Sequence, residues 1–215
     1  MDKFFWHGHD ARTLLPDGWE DQVRSVTRSR VVRLDRGRAS TSRESEDVGV
    51  LRRGRVPGAA VRDELPWLDE LYRTTFLDMA EHLAGEPVSP AEDVRYGVVL
   101  NVAIGTDMRL ECHVDSNPVE GLLFLTDHSR QAGGELVIGH NPEARSAAEI
   151  DADCSTIIPV AGHALFFRGS DNPHYVRFLK NNDDIRIVAA MNYYTETVPE
   201  SSRPAEINQY LFGEE

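Results

Sequence analysis

The hydrophobic pattern changes period near residue 94. Upstream, over 66–84, Leu68, Leu71, Tyr72, Thr75, Phe76, Met79 and Leu83 recur at helical spacing, and Gly85 follows as a stop. This predicts an amphipathic helix that covers one face of a sheet. Another helix is predicted to open near Pro16-Asp17, where Asp17 can cap it. A strand is expected over 29–34, around Val31-Val32, and the polar, turn-rich stretch 35–49 reads as a loop or mobile segment. Downstream the chain becomes a series of short apolar runs separated by turn residues. Eight strands are predicted: 95–104, 109–115, 119–127, 134–140, 154–160, 164–168, 174–179 and 185–194. Gly105-Thr106-Asp107, Gly133-Gly134, Ala161-Gly162 and Asn181-Asn182-Asp183-Asp184 supply breaks, and the longer polar segment 141–153 reads as a lid loop. Eight short strands fit a double-sheet jelly roll. The expected fold is therefore mainly β with supporting helices around a double-stranded β-helix (jelly roll, cupin-like) core. The expected layout is one domain over 1–215: a mixed, helical support over 1–93, the catalytic core over 94–196 and a C-terminal tail over 197–215.

Composition narrows the function classes. A length of 215 residues, with 40% hydrophobic and 27% charged, is ordinary for a globular protein able to bury a core. No apolar run reaches the roughly 18 to 20 residues needed to span a membrane. The opening Met1-Asp2-Lys3-Phe4-Phe5-Trp6-His7 lacks a secretory apolar stretch, so a cytoplasmic protein is expected. A net charge of −13, from 36 acids against 23 bases, disfavours binding to phosphate backbones. Lys3 and Lys180 are the only lysines, an Arg bias that hints at a GC-rich, bacterial genome. Cys112 and Cys154 form no Cys-x-x-Cys pair and read as reduced packing residues.

Candidate chemistry centres on His113 and Asp115. Residues two apart on extended backbone share a face, so one imidazole and one carboxylate can address one metal. His174 follows 61 positions later (174 − 113) and opens the seventh predicted strand. Two His and one carboxylate on one side of a metal leave positions open, the arrangement of non-haem Fe(II) oxygenases. Such a site needs an electron-rich co-substrate. 2-Oxoglutarate chelates through its 2-oxo acid end, and its distal carboxylate calls for an Arg. Arg186 lies 12 positions after His174 (186 − 174), across the Asn181–Asp184 turn. Other residues have simpler readings. His7-Gly8-His9-Asp10 looks metal-like but sits at a chain end, where mobility is usual. His128, His140 and His163 lie at strand ends or turns and read as solvated, His140 bordering the lid. Gly133-Gly134 precedes a strand and not a helix, so it is a tight turn and not a phosphate cradle. Trp6, Trp19 and Trp67 read as packing residues.

With those residues in place, the segment 95–194 resembles the iron(II)/2-oxoglutarate-dependent oxygenase superfamily, especially its prolyl-hydroxylase-like branch. The likeness rests on His113-Val114-Asp115, Leu123 to Thr126, Gly133-Gly134-Glu135-Leu136, Pro159 to Phe167, His174 and Arg186, with Gly105 and Leu110 ahead of the first ligand. It covers a little under half the chain. The resemblance implies Fe(II) on His113, Asp115 and His174, 2-oxoglutarate and O2 as co-substrates, ascorbate as an aid in vitro, and Arg186 on the distal carboxylate. Two positions depart from the family pattern: Val102 stands where a Tyr often touches 2-oxoglutarate, and Val188 stands where a Ser often follows the Arg. Asn101, Thr126 or Asn192 would then supply the missing hydrogen bond. Asp115 argues against a halogenase, in which a small residue leaves room for chloride. Substrate contacts are expected from Arg109, Glu111, Ser116, Asn117, Glu120, Arg168 and Asn172. The reaction implied is hydroxylation of a small molecule, an amino acid or a natural-product intermediate, with conversion of 2-oxoglutarate to succinate and CO2; desaturation or ring closure would use the same site. A peptide or protein hydroxylase and a non-catalytic metal-binding jelly-roll sensor are the alternatives. No nucleic-acid or membrane partner is expected, and the sequence does not set an oligomeric state.

Overall fold

The computed structural model describes residues 5–36, 41–43, 51–207 and 211. Its organising element is a long strand, β11 (Ile185–Thr195), which is buried on both faces beyond its first residue. Alternation sends Ile187, Ala189, Met191 and Tyr193 to one side and Val188 and Ala190 to the other. Two strands flank it antiparallel, β5 (Val98–Ile104) and β6 (Val119–Phe124). Beyond β6 come β9 (His163–Phe167) and β1 (Trp6–Asp10); beyond β5 come β3 (Leu51–Val56) and β2 (Val32–Arg36). A short β4 (Val88–Pro90) pairs the far end of β11. A smaller antiparallel sheet contains β7 (Leu136–Gly139) between β10 (His174–Val176) and β8 (Cys154–Ile157).

The two sheets pack face to face as a jelly roll. Val99, Leu122, Phe124, Leu165, Phe167, Val188 and Ala190 of the large sheet meet Leu136, Ile138 and Val176 of the small one. The opposite face of the large sheet is covered by helices α1 (Trp19–Arg30), α2 (Gly58–Glu64), α3 (Pro66–Arg73) and α4 (Thr75–Ala84). Leu68, Tyr72, Phe76 and Ala80 form the buried stripe of this layer at four-residue spacing, and each is fully buried. The sheet-covering role expected for the segment 66–84 therefore holds, but its continuity does not. Thr74 leaves helical geometry (φ −126°, ψ −96°), and its hydroxyl donates to the Glu70 carbonyl at 2.7 Å, a competing bond that splits the helix.

Other expectations are corrected in detail. α1 starts at Trp19, not near Pro16-Asp17, because Gly18 occupies the cap with φ 73°. The strand expected over 29–34 begins only at Val32, since Ser29 and Arg30 still close α1. The segment expected as strand 95–104 opens with a helical turn, α5 (Val94–Gly97), capped by Asp93, whose carboxylate accepts from Arg95 N at 3.0 Å. The expected strand 109–115 joins no ladder; single bridges tie His113 to His174 and to Ser42. The lid segment 141–153 contains α6 (Ala147–Ala152), capped by Ser146, and it buries Ala144 and Ile150. His7-Gly8-His9-Asp10 is not a mobile end but lies in β1, paired to β9 with Trp6 opposite Phe167. Of the polar stretch 35–49, residues 35–36 finish β2, while 37–40 and 44–50 lie outside the described residues. Ile207 and Leu211 from the C-terminal tail are buried with Tyr96 and Tyr194. No described helix is long and apolar enough to cross a membrane.

Candidate metal centre and its cavity

The jelly roll brings His113 and His174 side by side through a reciprocal backbone pair, His113 N to His174 O at 3.0 Å and His174 N to His113 O at 2.9 Å. Their ring centroids are 4.3 Å apart. The Nδ1 of His113 lies 2.6 Å from the Glu111 carbonyl, and the Nδ1 of His174 lies 2.9 Å from the Asn172 carbonyl. A carbonyl can only accept, so each Nδ1 carries the proton and each Nε2 presents a lone pair. Those two Nε2 atoms face one carboxylate, at 3.3 Å from Asp115 Oδ1 and 3.4 Å from Asp115 Oδ2. The three ligand atoms all lie within 4.8 Å of one another, the single such His/Cys/Asp/Glu group among the described residues. Asp115 Oδ2 is buried without a hydrogen-bond partner.

Three acceptors converging with no proton between them repel one another unless a cation sits among them. The donor set therefore fits a divalent metal of intermediate hardness, imidazole plus carboxylate. Protons compete with a metal for the same point, and the three groups answer differently. Burial lowers the His174 pKa to about 4, so its ring is neutral and able to ligate. Burial alone would raise Asp115, but the His174 and His113 rings outweigh it and hold the carboxyl below its usual range. Burial likewise opposes His113 protonation, yet the neighbouring Asp115 carboxylate raises its pKa overall, so without a metal a second proton on His113 takes the place the cation would fill. The carboxylate is steered into place by its own amide, which donates to Gly169 O at 2.9 Å. A Cβ at Gly169 would overlap Asp115 Oδ2, so the residue at 169 must be small.

The triad opens on a cavity between the two sheets, lined from β3, β5, β6, β9 and β11 on one side and β7 and β10 on the other. Arg186 lines it from β11 and is only 3% exposed. Its Nε donates to Gly134 O at 2.8 Å, which Gly134 offers at φ 77°, while its Nη2 is buried with no hydrogen-bond partner. The Phe124 ring lies 6.0 Å from its guanidinium carbon. Burial, with no carboxylate to offset it, lowers the Arg186 pKa to about 10. The cationic fork is thus half satisfied and aimed into a cavity, a fit for a ligand carboxylate.

Of the other residues predicted from sequence, Asn101, Glu111, Ser116, Glu120 and Asn192 line the cavity. Asn192 is partly committed, since its amide donates to Tyr96 O at 2.6 Å. Five others do not reach the cavity wall. Thr126 Oγ1 accepts from Ile187 N at 3.0 Å at the strand edge. Arg109 packs between Tyr175 and Phe178. Asn117 is fully buried and braces Glu120 through a 2.8 Å bond. Arg168 pairs with Asp171, and Asn172 donates to Arg168 O while orienting His174 through its own carbonyl. The sequence reading missed Arg53, Arg55 and Tyr96, all of which line the cavity. The alternation Arg53-Gly54-Arg55 was the available signal for the first two.

A jelly roll with a His-Asp-His metal-competent site in its mouth is the class that fold and geometry define. No protein-family profile matches the chain, and no curated protein matches it in sequence. Solved structures do match. A 2OG-Fe(II) oxygenase family oxidoreductase from Burkholderia pseudomallei superposes with TM-score 0.61 at 12% identity, over 88% of this chain and 84% of that one. A prolyl hydroxylase from Trichoplax adhaerens, in complex with a hypoxia inducible factor peptide fragment, gives TM-score 0.62 at 14% identity, over 93% and 87%. HygX from Streptomyces hygroscopicus, with nickel and 2-oxoglutarate bound, gives 0.57 at 14% identity, over 89% and 83%. At these identities the likeness establishes the shared fold.

Proposed function

We propose that this protein is an Fe(II)/2-oxoglutarate-dependent oxygenase acting on a small molecule. The observation that carries the reading is the joint presence, in one cavity, of three converging acceptors and a buried, half-satisfied arginine. A generic metal protein needs the first; a 2-oxo acid with a distal carboxylate accounts for both. The fold shared with a structure that holds nickel and 2-oxoglutarate supports the same assignment.

In this reading His113, Asp115 and His174 would hold the metal, and the adjoining cavity would take the co-substrate. Fe(II), once bound with O2 and 2-oxoglutarate, supplies the oxidising chemistry: substrate C–H becomes C–OH while 2-oxoglutarate becomes succinate and CO2. The chain's own part is binding and exclusion. Arg186 fixes the distal carboxylate, and Gly134 O holds the arginine's Nε so that the fork keeps its aim. Val99, Leu122, Val188 and Ala190 line the cavity with apolar surface and limit water there. Val188 occupies the place of a hydroxyl-bearing residue, so Asn101, on β5 directly across from it, is the cavity residue best placed to supply a second polar contact to 2-oxoglutarate.

The test is succinate formation by purified protein supplied with Fe(II), 2-oxoglutarate, ascorbate and air. Succinate above the level of the metal-free protein, abolished in His174→Ala, is the expected result; even turnover uncoupled from substrate excludes a non-catalytic sensor. Equal succinate from parent and His174→Ala would refute the assignment.

A further inference from the structure

The oxygenase site leaves the histidine motif of the first strand without a task. His7 and His9 stand two apart on β1, so alternation puts both imidazoles on one face of that strand. Their ring centroids are 4.6 Å apart. Asp10, of the opposite parity, is engaged by Arg12, whose Nε donates to its Oδ1 at 2.8 Å. The face with the two histidines turns towards α4. There Asp78 and His82 stand four apart, about one helical turn, and so share a side. All four side chains line one groove, together with Thr75, Met79 and Leu83. None of these residues lines the cavity of the His113, Asp115 and His174 triad.

The His9 ring meets Phe166 edge to face, with centroids 6.1 Å apart. Its Nε2 is buried with no hydrogen-bond partner among the described residues, a costly state for an imidazole nitrogen. Burial, and then the neighbouring His7, lower its pKa, which favours the neutral ring that a metal needs. Pairs at i, i+2 on a strand and at i, i+4 on a helix are the local spacings at which two residues can share one ion. Three imidazoles and a carboxylate suit Zn(II) and serve a hard ion such as Mg(II) poorly. The four groups are not gathered as tightly as the triad, whose ligand atoms all lie within 4.8 Å of one another. His7, Asp78 and His82 are exposed, however, and exposed side chains change rotamer on a fast timescale, so an entering ion can draw them in.

We propose that His7 and His9 of β1 and His82 of α4, with Asp78 beside it, form a second metal site for Zn(II) or a similar borderline divalent ion. β1 is the outer strand of the large sheet and pairs only with β9 among the described strands. An ion in the groove ties that edge to the helix layer.

The test is calorimetric titration of Zn(II), and separately Mg(II), into metal-free His174→Ala protein, in which the triad is disabled. One Zn(II) per chain should bind with a micromolar or tighter dissociation constant, and Mg(II) should give no comparable binding. On the same background His7→Ala and His82→Ala should each weaken Zn(II) binding about tenfold or more. Both positions are exposed, and thermal melts without metal check that the variants fold. Should His174→Ala fail to fold, the stoichiometry of the otherwise unchanged chain, two Zn(II) falling to one in His82→Ala, carries the comparison. Absence of Zn(II) binding in folded His174→Ala overturns the proposal, as does equal binding of Mg(II). Unchanged affinity in His82→Ala also overturns it, because the ion would then be held without the helix.

Discussion

Replacing Arg186 with Met should move two observables in opposite directions. The guanidinium is 3% exposed, its Nε is satisfied by Gly134, and its Nη2 has no hydrogen-bond partner. Burial lowers its pKa from the ordinary 12.5 to about 10. At about 1.4 kcal/mol per pKa unit, keeping this charge in the ligand-free protein costs on the order of 3 kcal/mol. The sign follows directly: the depressed pKa means the folded state disfavours the charged form, and Arg stays charged at neutral pH in both states. Removing the charge and filling the space with Met recovers that penalty, less roughly 1 kcal/mol for the lost Gly134 bond. Ligand-free Arg186→Met should therefore melt no lower than the parent. In contrast, truncating one partner of a buried charge pair costs about 2 to 5 kcal/mol of binding. At about 1.4 kcal/mol per tenfold, 2-oxoglutarate affinity should fall by roughly 30-fold to several thousand-fold. Arg186→Lys should regain only part of it, because a point charge cannot make the bidentate contact. The assays are differential scanning calorimetry without ligand and anaerobic titration of 2-oxoglutarate into Fe(II)-loaded protein. An unchanged dissociation constant in Arg186→Met, or a ligand-free melting point several degrees below the parent, would refute the argument.

His113→Ala, Asp115→Ala and His174→Ala should each abolish or severely weaken Fe(II) binding in anaerobic titrations while circular dichroism stays near parental, since each removes one of three mutually repelling acceptors. Products made in excess chloride should carry no chlorine by mass spectrometry, because the Asp115 carboxylate holds the position a halide would need; a chlorinated product would contradict its place among the ligands. Gly169→Ala should weaken Fe(II) binding by about tenfold or more, about 1.4 kcal/mol, as the new Cβ displaces Asp115 Oδ2; parental affinity in this variant would mean that Asp115 can be held another way.

The parts of the fold that could be read from sequence were those where burial sets the pattern. Strands β6, β7, β9 and β11 are apolar enough, and bounded by clear enough turns, to be located within a few residues. The break at Thr74 was invisible, because the buried stripe Leu68, Tyr72, Phe76 and Ala80 continues across it in register. What splits the helix is a local bond from the Thr74 hydroxyl, which periodicity does not encode. β1 was missed for a different reason: Trp6, His7 and Gly8 are exposed, so a sheet-edge strand there carries no alternating apolar signal.

The site divides along the same line. His113 and Asp115 do address one point, although the segment joins no ladder and pairs only through single bridges. The inference from spacing therefore survived the loss of the strand it assumed. Arg53 and Arg55 escaped notice because β3 breaks the rule that the inward face is apolar. Gly54 and Val56 turn to the helix-covered core, while the alternate positions place two arginines in the cavity. Read locally, Leu51-Arg52-Arg53-Gly54-Arg55-Val56 resembles a solvated turn more than a strand buried on both faces. Charge at inward positions is costly and so is not expected from the pattern; here Arg53 is held by the buried Glu111, a partner far along the chain that no local reading of β3 could supply.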